Sequence, residues 1–287
     1  MYITVNNARL FFDVDGAKLM PEGQTLREKP TLLLLHGGPG FDHSSFKPAF
    51  AQFTDIAQVV YLDHRGNGRS DRSSPEHWTL NQWADDVVGF CAALGIECPI
   101  VLGHSFGGMV AIAYAIRHPN HPSKLILSST SARHNRSRVL ARFEQFGGPE
   151  AREVANRFWE DPSATTWSDS IEKGMSVYGP TRWSSDVFKR ICMNLEVLFH
   201  FARGEFRTFD LLEGMRAIRC PILVLGGALD PICPIEDQEE IAQVLPSKLA
   251  RFERFEQCGH GVYRDDPERG FQVIREFILN TPNSPCI

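Results

Sequence analysis

The sequence predicts an α/β fold, a mostly parallel sheet flanked by helices and interrupted once by an inserted helical segment. Three observations carry this expectation. Short apolar runs alternate with amphipathic stretches, the pattern of a parallel sheet covered on both faces. Runs such as Thr31–Leu35 and Gln58–Asp63 end in glycine-rich turns. The alternation then stops between about Ser131 and Leu212 and resumes at Pro221, as an insertion into one sheet requires.

Residues 8–15 read as an early strand closing on Gly16. Thr31–Leu35 and Gln58–Asp63 read as buried strands. Leu80–Leu94 places Leu80, Trp83, Ala84, Val87, Val88, Cys91 and Leu94 on one stripe, the spacing of an amphipathic helix. Pro99–Leu102 is the next strand and Phe106–His118 the next helix, stopped by Pro119. Lys124–Ser129 gives another strand, and so does Pro221–Leu225. A helix over Pro234–Leu245, a strand over Lys248–Phe255 and a last helix over Pro267–Leu279 complete the pattern. The intervening stretch has helical patterns without a convincing buried strand, and it holds Trp159, Trp167 and Trp183. The expected division is a core built from 1–130 and 213–287, with 131–212 as a helical cap. A separate small domain is the other reading, disfavoured because the alternation resumes.

Composition narrows the function classes. The 287 residues accommodate one large α/β domain with an insertion. A net charge of −5 argues against nucleic acid, which would call for a basic face. No apolar run approaches the ~20 residues that span a bilayer, and the start lacks a signal-peptide pattern. Seven scattered cysteines (Cys91, Cys98, Cys192, Cys220, Cys233, Cys258 and Cys286) read as free thiols of a cytoplasmic protein. The expected partner is a small-molecule substrate, with homo-oligomerisation left open. There is no H-E-x-x-H, a proline interrupts His118-Pro119-Asn120-His121, and no dinucleotide or P-loop motif occurs, so no metal and no cofactor are expected.

Gly103-His104-Ser105-Phe106-Gly107 is a G-x-S-x-G pentapeptide placed directly after a strand and opening a helix. In that context it reads as a nucleophile elbow, with small residues flanking a serine at a helix N-terminus. The bland reading is a structural turn. His36-Gly37-Gly38-Pro39-Gly40 follows the Thr31–Leu35 strand, and its Gly38 N–H pairs with the Phe106 N–H as expected donors to an oxyanion. A phosphate-cradling loop would call for a Lys-Ser/Thr pair, whereas Phe41-Asp42-His43 follows here. A serine hydroxyl needs a base. Among ten histidines, His260 sits between glycines on a loop after the last strand, whereas His104 lies inside the elbow and His36 braces the glycine loop. Asp230, at the end of Leu223–Leu229, is the carboxylate placed to hold the base. After the Lys124–Ser129 strand no carboxylate is offered. The chain order is Ser105, Asp230, His260.

Nearly the whole chain resembles an α/β-hydrolase-fold enzyme, and its H-G-G-P-G loop resembles the proline iminopeptidase (prolyl aminopeptidase) branch. Asp63-His64-Arg65-Gly66-Asn67-Gly68-Arg69-Ser70 is similar to a D-x-R-G-x-G-x-S turn that is structural in that superfamily. The resemblance implies a Ser105–His260–Asp230 triad with Gly38 and Phe106 as oxyanion hole. It also implies acidic residues for a substrate amine. Pro231 occupies one usual place for such an acid, leaving Glu205 as the candidate, with Trp159 and Trp183 as candidate cap contacts to substrate. The function expected first is hydrolysis of a small carboxylic ester, lactone or amide through an acyl-enzyme. Proline iminopeptidase, carbon–carbon bond hydrolase and a non-catalytic small-molecule receptor are the alternatives.

Overall fold

Leu32, Leu33, Leu34 and Leu35 are all fully buried, although they point alternately to opposite faces of the sheet. This is what a central parallel strand covered on both sides demands. In the computed structural model, which describes residues 1–182 and 184–284, ten strands are formed in chain order. They are β1 (Tyr2–Val5), β2 (Ala8–Asp15), β3 (Leu19–Glu22), β4 (Thr25–Glu28), β5 (Thr31–Leu35), β6 (Gln58–Leu62), β7 (Ile100–His104), β8 (Lys124–Ser128), β9 (Ile222–Gly227) and β10 (Ala250–Phe255). Eight build one sheet in the order β1-β2-β6-β5-β7-β8-β9-β10, while β3 and β4 pair as a separate exposed hairpin. From β6 to β10 the sheet is parallel, and β2 joins it antiparallel.

The strand pleat sorts side chains into two cores. Leu33, Leu35, Val60, Leu62 and Val101 face α1 (Leu80–Leu94) and α2 (Phe106–Arg117) through Trp83, Phe90, Val110 and Tyr114. Leu32, Leu34, Val59, Tyr61, Ile100 and Leu102 face Phe46, Phe50 and Phe53 together with the last helix. Helix α1 starts at a Thr79 cap, whose side chain accepts from the Gln82 N–H, and ends at Gly95 in the left-handed region.

Between β8 and β9 run α3 (Arg136–Glu160), α4 (Ala164–Asp169), α5 (Ser185–Arg190) and α6 (Leu195–Arg203), with no strand of the sheet among the described residues. Helix α3 is two helices joined at Gly148-Pro149, where Gly148 has φ 76°. The two ends of this stretch are tied by a bridge between Arg133 and Asp210 and by Leu211 N–H donating to Ala132 O at 2.8 Å. The chain then closes with α7 (Ile235–Val244), α8 (Val262–Asp265) and α9 (Pro267–Asn280), the last opened by an Asp266 cap and Pro267. Among the described residues no helix is long and apolar enough to cross a membrane.

One expectation is corrected. Cys98 is disulfide-bonded, whereas Cys91, Cys192, Cys220, Cys233 and Cys258 are free, and Cys286 lies outside the described residues. Scatter along the chain says nothing about the spatial approach that allows a bond.

Candidate active site

The Gly103–Gly107 turn is forced to be small by what packs against it. A Cβ on Gly103 would overlap the carbonyl of Gly107, and one on Gly107 would overlap the carbonyl of Leu35. Ser105 pays for this tightness with φ 55°, ψ −121°, a conformation that costs a non-glycine residue about 1–3 kcal/mol. Neighbouring bonds hold it there: Ser105 N–H donates to Ser128 O at 2.9 Å, and Thr130 Oγ1 donates to Ser105 O at 2.7 Å.

From the end of β10, the loop carrying His260 reaches the same point. Ser105 Oγ lies 2.9 Å from His260 Nε2, and His260 Nδ1 lies 2.9 Å from Asp230 Oδ2. A carboxylate only accepts, so Nδ1 carries the proton and Nε2 accepts from the serine hydroxyl. The other oxygen, Asp230 Oδ1, accepts from Ile232 N–H at 2.8 Å and Cys233 N–H at 2.9 Å. With Asp230 fully buried, this aims one carboxylate edge at the imidazole. The backbone of His260 is fixed in turn by its N–H donating to Tyr178 O at 2.6 Å and by Arg264 donating to its carbonyl at 2.5 Å.

Gly38 and Phe106 both border the space beside Ser105 Oγ. Phe106 is the first residue of α2, so its N–H belongs to the first turn, which lacks intrahelical acceptors. The glycine loop is braced from behind: His36 Nδ1 donates to Gly37 O at 2.7 Å, and His36 Nε2 accepts from His64 N–H at 3.2 Å. Burial holds both His36 and His64 below the usual histidine range, which keeps them neutral. His104, too, is pushed well down by burial and by the neighbouring His260.

The Asp63–Ser70 turn supports this loop from below. Burial would raise the Asp63 carboxyl, but the His43 ring and the Arg69 N–H hold it below its ordinary value. Asn67 Oδ1 accepts from Gly40 N–H at 2.5 Å, and Arg65 pairs with Asp86 inside the core.

Above Ser105 opens a cavity of about 120 Å³, bordered by Phe41, Phe143, Phe158, Trp159, Trp167, Met175, Tyr178 and His260. A second, of about 40 Å³, lies on the Phe106 side and shares Gly38, Pro39, Ser105, Trp159, Leu198 and Ile232 with the first. Trp159 borders both cavities and is stacked on Phe206 with ring centroids 4.8 Å apart. Trp183 lies outside the described residues. Glu205 is elsewhere: its Oε2 accepts from Leu80 N–H at 2.8 Å, so the carboxylate caps α1 instead of facing the cavity. The chance of this was invisible locally, because the two residues are 125 positions apart. Sequence reasoning missed Phe41, Phe143, Phe158 and Tyr178 as lining residues. Tyr178 carried no motif, while the phenylalanines carried only helical or loop spacing.

A serine hydroxyl at the start of a helix, bonded to an imidazole that is backed by a buried carboxylate, is equipped to attack a carbonyl carbon.

A family model described as "alpha/beta hydrolase fold" matches residues 30–267 of this chain. The chain is 27% identical over 280 residues to "Proline iminopeptidase PfmaB" of Pestalotiopsis fici, covering 93% of this chain and 98% of that protein. It is 28% identical over 276 residues to "Putative carbamate hydrolase RutD" of Caulobacter sp. strain K31, covering 92% and 96%. Among solved structures, the enol-lactonase from Burkholderia xenovorans LB400 superposes with a TM-score of 0.69 at 22% identity, covering 97% of this chain and 99% of that one, a likeness of fold.

Proposed function

The chain belongs to the α/β-hydrolase fold family, and we propose that it is a serine hydrolase cleaving a small carboxylic ester, lactone or amide through an acyl-enzyme. One observation carries this reading: the unbroken line Ser105 Oγ–His260 Nε2, His260 Nδ1–Asp230 Oδ2, with 2.9 Å at each step, at the junction of two cavities.

In the first half-reaction, Ser105 Oγ forms a bond to the substrate carbonyl carbon as His260 Nε2 takes the hydroxyl proton. The carbonyl π pair moves onto oxygen, where the Gly38 and Phe106 N–H groups receive it. Asp230 stabilises the imidazolium without becoming protonated itself. Collapse breaks the carbon–leaving-group bond, and His260 delivers its proton to the departing atom. Water then attacks the acyl-Ser105 ester with His260 again as base, releasing the acid and restoring the serine. Residues 131–212 act as a cap, closing aromatic walls over the reacting carbonyl so that the charges of the intermediate form in a water-poor space.

A second reading, release of an N-terminal proline, is favoured by the resemblance to prolyl aminopeptidases. Against it, Glu205 is engaged at the start of α1 and Pro231 follows Asp230, so neither place expected for an amine-binding acid offers a carboxylate to the cavity. The deciding experiment is a panel of p-nitrophenyl esters, lactones and prolyl anilides run on wild type and Ser105→Ala. Turnover of amine-free esters at least as fast as the prolyl anilide supports the ester reading. A strong preference for the anilide establishes the iminopeptidase.

A further inference from the structure

The two cavities meet at Ser105 but are chemically unlike, and the relay gives them different jobs. His260 borders the large cavity and is absent from the walls of the small one, which are built by Phe106, Met109, Phe201, Phe206 and the polar group around Asp237. Since His260 must hand its proton to the leaving group, the leaving group lies on the side of the large aromatic cavity. The oxyanion occupies the Gly38–Phe106 donors. The remaining substituent of the tetrahedral carbon, the acyl chain, is then directed into the small cavity.

That small cavity does not end in hydrocarbon. Asp237, a buried residue of α7, faces it together with Ser131 and Arg133. Asp237 Oδ2 accepts from Ser131 Oγ at 2.8 Å and Oδ1 pairs with Arg138, while Glu240 bridges Arg138 and Arg133 at 2.9 Å each. Each carboxylate oxygen accepts two bonds, so Asp237 retains acceptor capacity after these contacts. Two arginines already balance the two carboxylates, and an added ammonium would stand uncompensated. A neutral donor fits.

Resting on the serine-hydrolase reading, we propose that the small cavity is the acyl chamber and that Asp237 is a specificity-determining residue accepting a hydrogen bond from a hydroxyl group on a short acyl chain. The substrate class is therefore a short hydroxyacyl ester with a bulky apolar leaving group. Neither motif reading nor family resemblance points to Asp237, which lies in a helix seven residues beyond Asp230.

The test keeps p-nitrophenol as leaving group and varies the acyl chain on the intact protein. kcat/KM is expected to fall at least tenfold from butyryl to octanoyl, because the chamber has about a third of the volume of its neighbour. The 3-hydroxybutyryl ester is expected to exceed butyryl at least fivefold, and 3-aminobutyryl to fall below the hydroxy ester. Asp237→Asn reduces the hydroxyl preference at least threefold. Ser131→Ala, which frees one Asp237 lone pair without removing the carboxylate, leaves the preference standing and serves if Asp237→Asn does not fold. Octanoyl turnover equal to butyryl, a preference for the amine, or a hydroxyl preference intact in folded Asp237→Asn each overturns the proposal. The underlying reading is checked separately in the same samples. If wild type hydrolyses no ester and takes up no fluorophosphonate, that reading has failed and the chamber assignment falls with it. If p-nitrophenyl acetate is cleaved through Ser105 while the acyl-chain pattern is reversed, only the chamber assignment is lost.

Discussion

Replacing Asp230 by asparagine changes one atom and tests the whole relay. The amide has two orientations. In one, its NH₂ would face the Ile232 and Cys233 N–H groups, now 2.8 and 2.9 Å from Oδ1, setting donor against donor twice. Each buried unsatisfied donor costs about 1–3 kcal/mol, so this orientation is disfavoured by several kcal/mol. The other keeps the carbonyl on those two donors and turns the NH₂ toward His260 Nδ1, 2.9 Å away. Nδ1 must then accept, and the ring proton moves to Nε2, where it points at Ser105 Oγ. In this tautomer the imidazole cannot take the serine proton, and the imidazolium has lost its counter-charge. A loss of about 10³–10⁴ in kcat is expected, equivalent to about 4–5.5 kcal/mol of transition-state stabilisation. The assay is p-nitrophenyl acetate hydrolysis under saturating substrate, with circular dichroism and a thermal melt showing that the variant is folded. A folded Asp230→Asn that keeps more than a tenth of wild-type kcat refutes the reasoning.

Other consequences follow from the same geometry. Gly107→Ala should lose the folded enzyme or lower Tm by many degrees, since the new methyl overlaps the Leu35 carbonyl inside a buried turn; a normal melt with full activity would contradict the elbow packing. Glu205→Ala removes the acceptor for the Leu80 N–H and should cost about 0.5–2 kcal/mol of stability, read as a fall of a few degrees in Tm. Glu205→Gln keeps an acceptor and should change kcat/KM for neutral esters by less than about threefold, whereas a larger effect would return Glu205 to the substrate site. Because the relay supplies nucleophile, base and oxyanion donors from the chain itself, activity should survive prolonged dialysis against EDTA; loss that zinc restores would replace this mechanism.

The parts of the site written as local patterns were readable before the structure. Ser105 announces itself through two glycines and a strand–turn–helix context, and Asp230 and His260 through their positions just after strands, and the fold brings the three side chains to 2.9 Å at each step. The fold was readable for the same reason: the all-leucine run of β5 and the stripe of α1 are strong periodic signals. What failed were elements too short to show a period. Strand β1 spans four residues, and the turn that pairs it with β2 was signalled only by Asn6 and Asn7, both with positive φ, which asparagine tolerates. The β3–β4 hairpin is exposed throughout and offers no alternating pattern. Helices α4 and α5 have six residues each, too few for a stripe, and α4 carries Trp167 of the large cavity's wall. Glu205 and Cys98 are the plainest cases, since a cap to Leu80 and a disulfide depend on chain segments brought together only by folding.

The central claim, that Ser105 is the nucleophile driven by His260, is tested most directly by labelling with a fluorophosphonate and locating the adduct by peptide mass spectrometry. The account predicts one adduct per chain, on the peptide containing Ser105, appearing in step with loss of esterase activity. Labelling should be abolished in Ser105→Ala and slowed at least a hundredfold in His260→Ala. An adduct on another residue, or a Ser105→Ala protein that is folded and still hydrolyses esters at more than a tenth of the wild-type rate, would contradict it.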